Sequence, residues 1–183
     1  HLKDSYFYLA FQQLFLGLAY ENGYHMMAFD HEYWGGDPQE LRRRLEESEI
    51  GGVLILGDME EDLAANIVSC GLPVVAVGAR YHTLRVCTYI EDNAEAAYQA
   101  VQHLYEHGCR KMGFIGDPMY STAFAERYDG FRNALRQFGL PCEPQHVLLT
   151  PRADDADIPQ MIHRALDTVT DLPDAFFCAN DYL

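Results

Sequence analysis

The sequence predicts an α/β fold with parallel strands, and two observations carry that expectation. Segments with helical spacing of apolar residues alternate regularly with short apolar runs of strand length. Several of those runs, such as Val53-Leu54-Ile55-Leu56, are too uniformly apolar for a strand with one wet face. They suit a parallel sheet covered on both sides, with right-handed crossovers. The chain has 183 residues, 49% hydrophobic and 22% charged. That composition belongs to a globular protein, and the length suits one domain or two small lobes.

The elements follow in order. Phe7, Phe11, Leu14 and Leu18 fall on one helical face, and Asn22-Gly23 closes that helix. Residues 24–29 then form an apolar run of strand length. Asp37-Pro38 opens a second helix, with Leu41 and Leu45 inward and Arg42, Arg43 and Arg44 around the outside. After Gly51-Gly52 come the strand at 53–56, a helix over 60–69, a strand at 74–77 and a short strand near 85–90. Asp92 or Asn93 caps a helix whose inward face is Ala94, Ala97, Val101 and Leu104, ending at Gly108. A strand at 111–115 precedes a helix with a broad apolar face of Phe124, Tyr128, Phe131, Leu135 and Phe138, stopped by Gly139 and Pro141. Residues 146–149 read as a strand. Asp154 or Asp155 begins a helix carrying Ile158, Ile162, Ala165 and Val169, and 175–179 is a final strand.

Both ends look wrong for a complete domain. The chain begins on the approach to a helix and stops just after a strand, so the fold is expected to be incomplete at both ends. An open parallel edge of this kind is expected to need a partner.

The net charge is −15, spread as −8 over residues 1–91 and −7 over residues 92–183. An even negative field repels phosphate backbones, so direct binding of nucleic acid by this stretch is not expected. No apolar run approaches the roughly 20 residues that cross a bilayer, and the start lacks the basic and apolar regions of a secretory signal. Five cysteines (Cys70, Cys87, Cys109, Cys142, Cys178) share no short spacing, which is neither a disulfide framework nor a zinc set. A reducing, cytoplasmic compartment and no membrane are the expectation.

Open α/β sheets bind ligands at the carboxyl ends of their strands. That rule selects Asp30, Gly57-Asp58, Gly78-Ala79-Arg80, residues 116–121 with Tyr120 and Ser121, and Asn180-Asp181. Singly, each is an ordinary βα turn; together they read as a ligand site. Other constellations fall short. There is no GxGxxG or GxxxxGK[ST] phosphate loop. His103 and His107 have a metal-like i, i+4 spacing but no third ligand, and read as helix-end histidines. Asp154, Asp155 and Asp157 lack calcium-loop spacing and suit a helix start. Arg42, Arg43 and Arg44 lie among Glu40, Glu46 and Glu47 as a solvated face. Ser121 is not in a nucleophile elbow, and nothing demands catalysis or a cofactor. Arg127 stands apart: early in the helix after the 111–115 strand, its guanidinium offers a fork of donors over the strand ends, the alternative being a surface salt bridge with Glu126 or Asp129.

At these residues the chain resembles the effector-binding core of the lactose-repressor/galactose-repressor (LacI/GalR) family of bacterial transcription regulators. Three stretches carry the likeness. Asp92-Asn93, Ala97, Ala100, His103-Leu104 and the run from Gly108 to Gly116 resemble the family's helix-then-strand signature. Arg127-Tyr128-Asp129-Gly130-Phe131 resembles its Arg-x-x-Gly-Phe segment, and the stretch from Pro173 to Asp181 its strand end. The resemblance implies a periplasmic-binding-protein-like fold of two Rossmann-like lobes, residues 1–91 and part of a second lobe at 92–183, with the first crossing between them near residues 90–93. It implies a small-molecule effector, a sugar or related metabolite, in the hinge cleft. It also implies a homodimer, and operator DNA bound through a helix-turn-helix headpiece not in this chain. Residue by residue, Arg127 would clamp the ligand and Asn180 or Asp181 would hydrogen-bond it from the opposite strand end. Gly78 stands where many sugar-responsive members carry an aspartate. The rival classes are a periplasmic sugar receptor of a transporter, which shares the fold, and an α/β enzyme, which needs a base or nucleophile that this sequence does not offer.

Overall fold

A computed structural model describes residues 6–29, 37–150 and 158–181. The chain divides into two compact units, His1–Ile90 and Glu91–Leu183.

In the first unit, α1 (Tyr6–Glu21) is followed by α2 (Pro38–Glu47), β1 (Val53–Leu56), α3 (Glu61–Ser69), β2 (Val74–Val77) and β3 (Cys87–Tyr89). The strands are parallel in the order β1-β2-β3, with Val53 opposite Val74 and Val75 opposite Cys87. Asp37 caps α2 by accepting a hydrogen bond from the Gln39 amide at 2.9 Å, with Pro38 in the first turn. Leu41 and Leu45 of α2 and Ala64 and Ile67 of α3 then form a buried cluster with Ile55 and Ala76 of the sheet. The arginines of α2 stay outside as expected. Arg43 and Arg44 both bond Glu40, holding its carboxyl down at about 2.

α1 stands where its spacing places it, and two other expectations for this unit fail. α1 forms and ends at Asn22-Gly23, where Gly23 takes φ +77° and the Asn22 amide donates to the Leu18 carbonyl at 2.8 Å. Leu14 and Leu18, which share one face of it, are 57% and 45% exposed. Helix ends follow from local capping, whereas burial of a face needs a partner surface. Residues 24–29 form no strand. A strand needs a ladder partner, and among the described residues the only neighbour of β1 in its sheet is β2. The run contributes Phe29 to the core cluster instead. The sheet is also not covered on both sides among the described residues. Its Ile55–Ala76 face is buried, while Leu54 and Val75 opposite remain 37% and 39% exposed.

The second unit carries α4 (Asn93–Glu106), β4 (Met112–Ile115), α5 (Thr122–Gln137), a 3₁₀ turn (Pro144–His146), β5 (Val147–Leu148), α6 (Ile158–Thr168) and β6 (Ala175–Cys178). The parallel order is β5-β4-β6, so β4 is central, and all four of its residues are buried. Its core joins Val101 of α4, Phe114 of β4 and Phe124, Phe131, Ala134 and Leu135 of α5. The Phe114 and Phe131 rings lie 5.6 Å apart, and Phe177 of β6 stacks on Phe131 at 6.2 Å.

Two glycines permit this packing. A Cβ on Gly130 would stand 2.3 Å from the Ala94 carbonyl oxygen, so α4 and α5 meet backbone to backbone there. A Cβ on Gly113 would lie 2.3 Å from the Phe176 ring. Asp174 ties the start of β6 to that of β4, its carboxylate accepting from the amides of Arg110 and Lys111 at 2.8 and 2.9 Å.

The strand expected at 146–149 is shorter than its apolar run. Pro144, which fixes its own φ and lacks an N–H, starts a turn through His146. His146 is buried, with its Nε2 2.6 Å from the Asp171 carbonyl, and Leu149 is already 66% exposed. The helix start proposed at Asp154 or Asp155 lies outside the described residues; α6 is described from Ile158. Among the described residues, no helix is long and apolar enough to cross a membrane.

Candidate functional site

The carboxyl ends of β4 and β6 approach each other closely. Gly116, just after β4, has φ +149°, and a Cβ on it would stand 2.6 Å from that of Ala179. Its amide donates to the Leu148 carbonyl at 3.0 Å, and the Ala179 amide donates to the Ile115 carbonyl at 2.8 Å. A side chain at 116 would be strained by the dihedral and blocked by the neighbour.

Arg127 reaches this point from the second turn of α5. Its Nη1 donates to the Ala179 carbonyl at 2.6 Å, and its Nε donates to Asn93 Oδ1 at 2.8 Å. Asn93, only 4% exposed, donates in turn from Nδ2 to Glu126 Oε2 at 3.0 Å and to the Glu91 carbonyl at 3.3 Å. The amide orientation is fixed by these partners, since only its oxygen can accept from an arginine. Of the two contacts foreseen for Arg127, neither Glu126 nor Asp129 is its hydrogen-bond partner among the described residues. The guanidinium is locked instead on a buried amide and a strand-end carbonyl. Two of its five N–H groups are committed, and Nη2 has no hydrogen-bond partner among the described residues.

The other predicted residues of this unit gather along the same strand ends. Asn180 is half-buried and already engaged, while Asp181 is exposed. Asp117 folds its turn by accepting from the Met119 amide at 2.9 Å. Tyr120 is 54% exposed, with its ring 5.0 Å from that of Phe124. Ser121 is the cap of α5, its hydroxyl accepting from the Phe124 amide at 3.3 Å, so its oxygen already has structural work.

The first unit brings its own predicted set together. Gly57 and Gly78, at the ends of adjacent strands, have φ +81° and +77°, and the Gly78 amide donates to the Tyr89 carbonyl at 2.9 Å. Arg80 follows, exposed and engaged. The loop beyond it is latched to α3. Thr83 donates from its amide (2.9 Å) and from its hydroxyl to Glu61, and these bonds hold the Glu61 carboxyl below its ordinary range. Burial, reinforced by the Asp58 carboxylate, pushes the Tyr81 phenol up. Asp30 lies outside the described residues.

Asn93 and the Ala179 carbonyl were not identified as site groups from sequence. Asn93 read only as a possible helix cap, yet Asp92 takes that role, accepting from the Glu95 amide at 3.1 Å. With one polar residue capping, the second is left to turn inward, and the adjacent pair was the available signal. A backbone carbonyl leaves no mark in a sequence.

Comparison with known proteins agrees with this architecture. The family model described as periplasmic binding proteins and sugar-binding domain of the LacI family matches residues 10–183. The chain is 30% identical over 176 residues to the NTD biosynthesis operon regulator NtdR of Bacillus subtilis, covering 93% of this chain and 52% of that protein. It is 27% identical over 173 residues to the transcriptional repressor PurR of Haemophilus influenzae, covering 90% and 49%. The chain thus spans about half the length of these relatives. Among solved structures, the Cra transcriptional dual regulator of Pseudomonas putida, in complex with fructose 1-phosphate, shares the fold with a TM-score of 0.73 at 21% identity, covering 96% of this chain and 65% of that one.

Proposed function

From the premise that this chain belongs to the family of periplasmic binding proteins and LacI-type sugar-binding domains, we propose that it is the effector-sensing core of a bacterial transcription regulator. The relatives it matches are transcriptional regulators rather than enzymes. In this reading a small polar metabolite, a sugar or a related compound, binds in a cleft between a lobe at residues 1–91 and one at 92–183. DNA is read by a headpiece outside this chain, and the regulator works as a cytoplasmic homodimer. The fructose 1-phosphate held by the Cra structure supports a ligand of this size and polarity.

The observation that carries the reading is the anchoring of Arg127. Bonds to Asn93 and to the carbonyl of Ala179, the residue before Asn180 and Asp181, fix the guanidinium, and Nη2 has no hydrogen-bond partner among the described residues. A preorganised fork of this kind suits hydroxyl, carbonyl or carboxylate groups of a ligand, because its ordering cost falls on folding rather than on binding. Asn180 and Asp181, Tyr120 and Ser121, and from the first unit Gly78, Arg80 and Asp30, complete the proposed lining. Ligand bound more tightly by one lobe arrangement shifts the equilibrium towards it and so changes DNA affinity.

The test is Arg127→Ala in the full-length protein. Effector binding measured by calorimetry is expected to be lost, with the far-ultraviolet circular dichroism unchanged. Normal binding of the true effector by that variant would remove the clamp role. A transporter's periplasmic receptor is the second reading; the regulator relatives favour the first.

A further inference from the structure

The Arg127 network extends beyond the strand ends. Through Asn93 it reaches the Glu91 carbonyl, and Ile90–Glu91 is where the chain passes from the first compact unit into the second. We propose that Asn93 is a positioning residue that couples the Arg127 guanidinium to this entry segment, so that engagement of Arg127 is felt where the two units join. The inference rests on the reading of Arg127 as a ligand-contacting group.

Three features support it. Asn93 is buried and its side chain makes three hydrogen bonds: the oxygen accepts from Arg127, and the nitrogen donates to both Glu126 and Glu91. A buried amide held on three sides cannot rotate to follow one partner without breaking with another. The segment it grips is itself tight, because the Asn93 backbone amide also donates to the Glu91 carbonyl at 2.9 Å. Finally, residues 92 and 93 divide the labour. Asp92 caps α4, so the helix start does not depend on the Asn93 side chain, which is left to the network.

The linkage is chemically selective. Aspartate at 93 keeps the acceptor for Arg127 but loses both donors and sets a carboxylate against Glu126. Alanine removes every side-chain hydrogen bond and keeps the backbone bond to Glu91. At position 127, methionine keeps the length and much of the apolar stem but removes the donors.

The experiment is a double-substitution cycle on the full-length protein without ligand, read by hydrogen-exchange mass spectrometry over residues 91–96, with β4 as the internal standard. Arg127→Met is expected to speed exchange of 91–96 about tenfold, and Asn93→Ala to do the same, while β4 is unchanged. The double variant is expected to exchange no faster than either single one, because both break one chain of contacts. Asn93→Asp, which conserves volume, replaces Asn93→Ala should the latter not fold.

Unchanged exchange in Arg127→Met, or effects that multiply in the double variant, would overturn the coupling. Proportional loosening of β4 would overturn it as well, by showing a general loss of stability. Because no ligand takes part, these results are independent of whether Arg127 binds the effector, which calorimetry decides separately.

Discussion

Gly130 is a residue whose replacement the packing tolerates poorly. Its missing Cβ lets the Ala94 carbonyl of α4 approach to where a side chain would stand, at 2.3 Å, and the obstruction is backbone that no rotamer relieves. Gly130→Ala is therefore expected to lower stability by about 1–3 kcal/mol, measurable as a reduced urea midpoint. Since Arg127 and Gly130 share a helix, the same change is expected to shift the guanidinium from the Ala179 carbonyl. At this scale the sequence was partly legible. Arg127 stands out as a lone cation early in its helix, and Asp37 announces a helix start that it does cap, whereas the capping role of Ser121 went unread. Asn93 was not legible as a site residue, because its role depends on a carboxylate and a guanidinium 33 and 34 positions away.

Among the elements, those decided by local chemistry read well. α2 begins at Asp37-Pro38, α5 stops before Gly139, and the uniformly apolar runs at 53–56, 74–77 and 175–178 are parallel strands. Elements that depend on what lies beside them read poorly. Residues 24–29 have strand composition without a ladder, and the leucines of α1 have helical spacing without burial. Phe131 shows the converse: fully buried against Phe114 and Phe177, it is expected to cost about 3–5 kcal/mol as Phe131→Ala. The tie between β4 and β6 also predicts a pH dependence. The Arg110 and Lys111 amides hold the Asp174 carboxyl below its ordinary value of 3.8. A depressed carboxylate contributes its stability in full above the unfolded value and loses it as pH falls through the folded one. Acid titration of Asp174→Asn, followed by circular dichroism, is expected to show a shallower loss of stability below pH 3.8 than the wild type.

For the whole molecule, the family and its α/β architecture were legible because three separated stretches agree with it in order, although each alone is short. The ligand was not legible. Its recognition depends on which donors and acceptors face the cleft, and strand-end glycines and aspartates occur in α/β turns of every function. Under the proposed function, this chain senses a small molecule and passes the result to DNA binding. The most direct test measures the affinity of the full-length protein for DNA upstream of its own operon, with and without the small-molecule fraction of its host's extract, for the wild type and for Arg127→Ala. The fraction is expected to change wild-type affinity by about fivefold or more and to leave the Arg127→Ala protein unaffected. An equal change in both proteins, or no change in the wild type, would contradict that function.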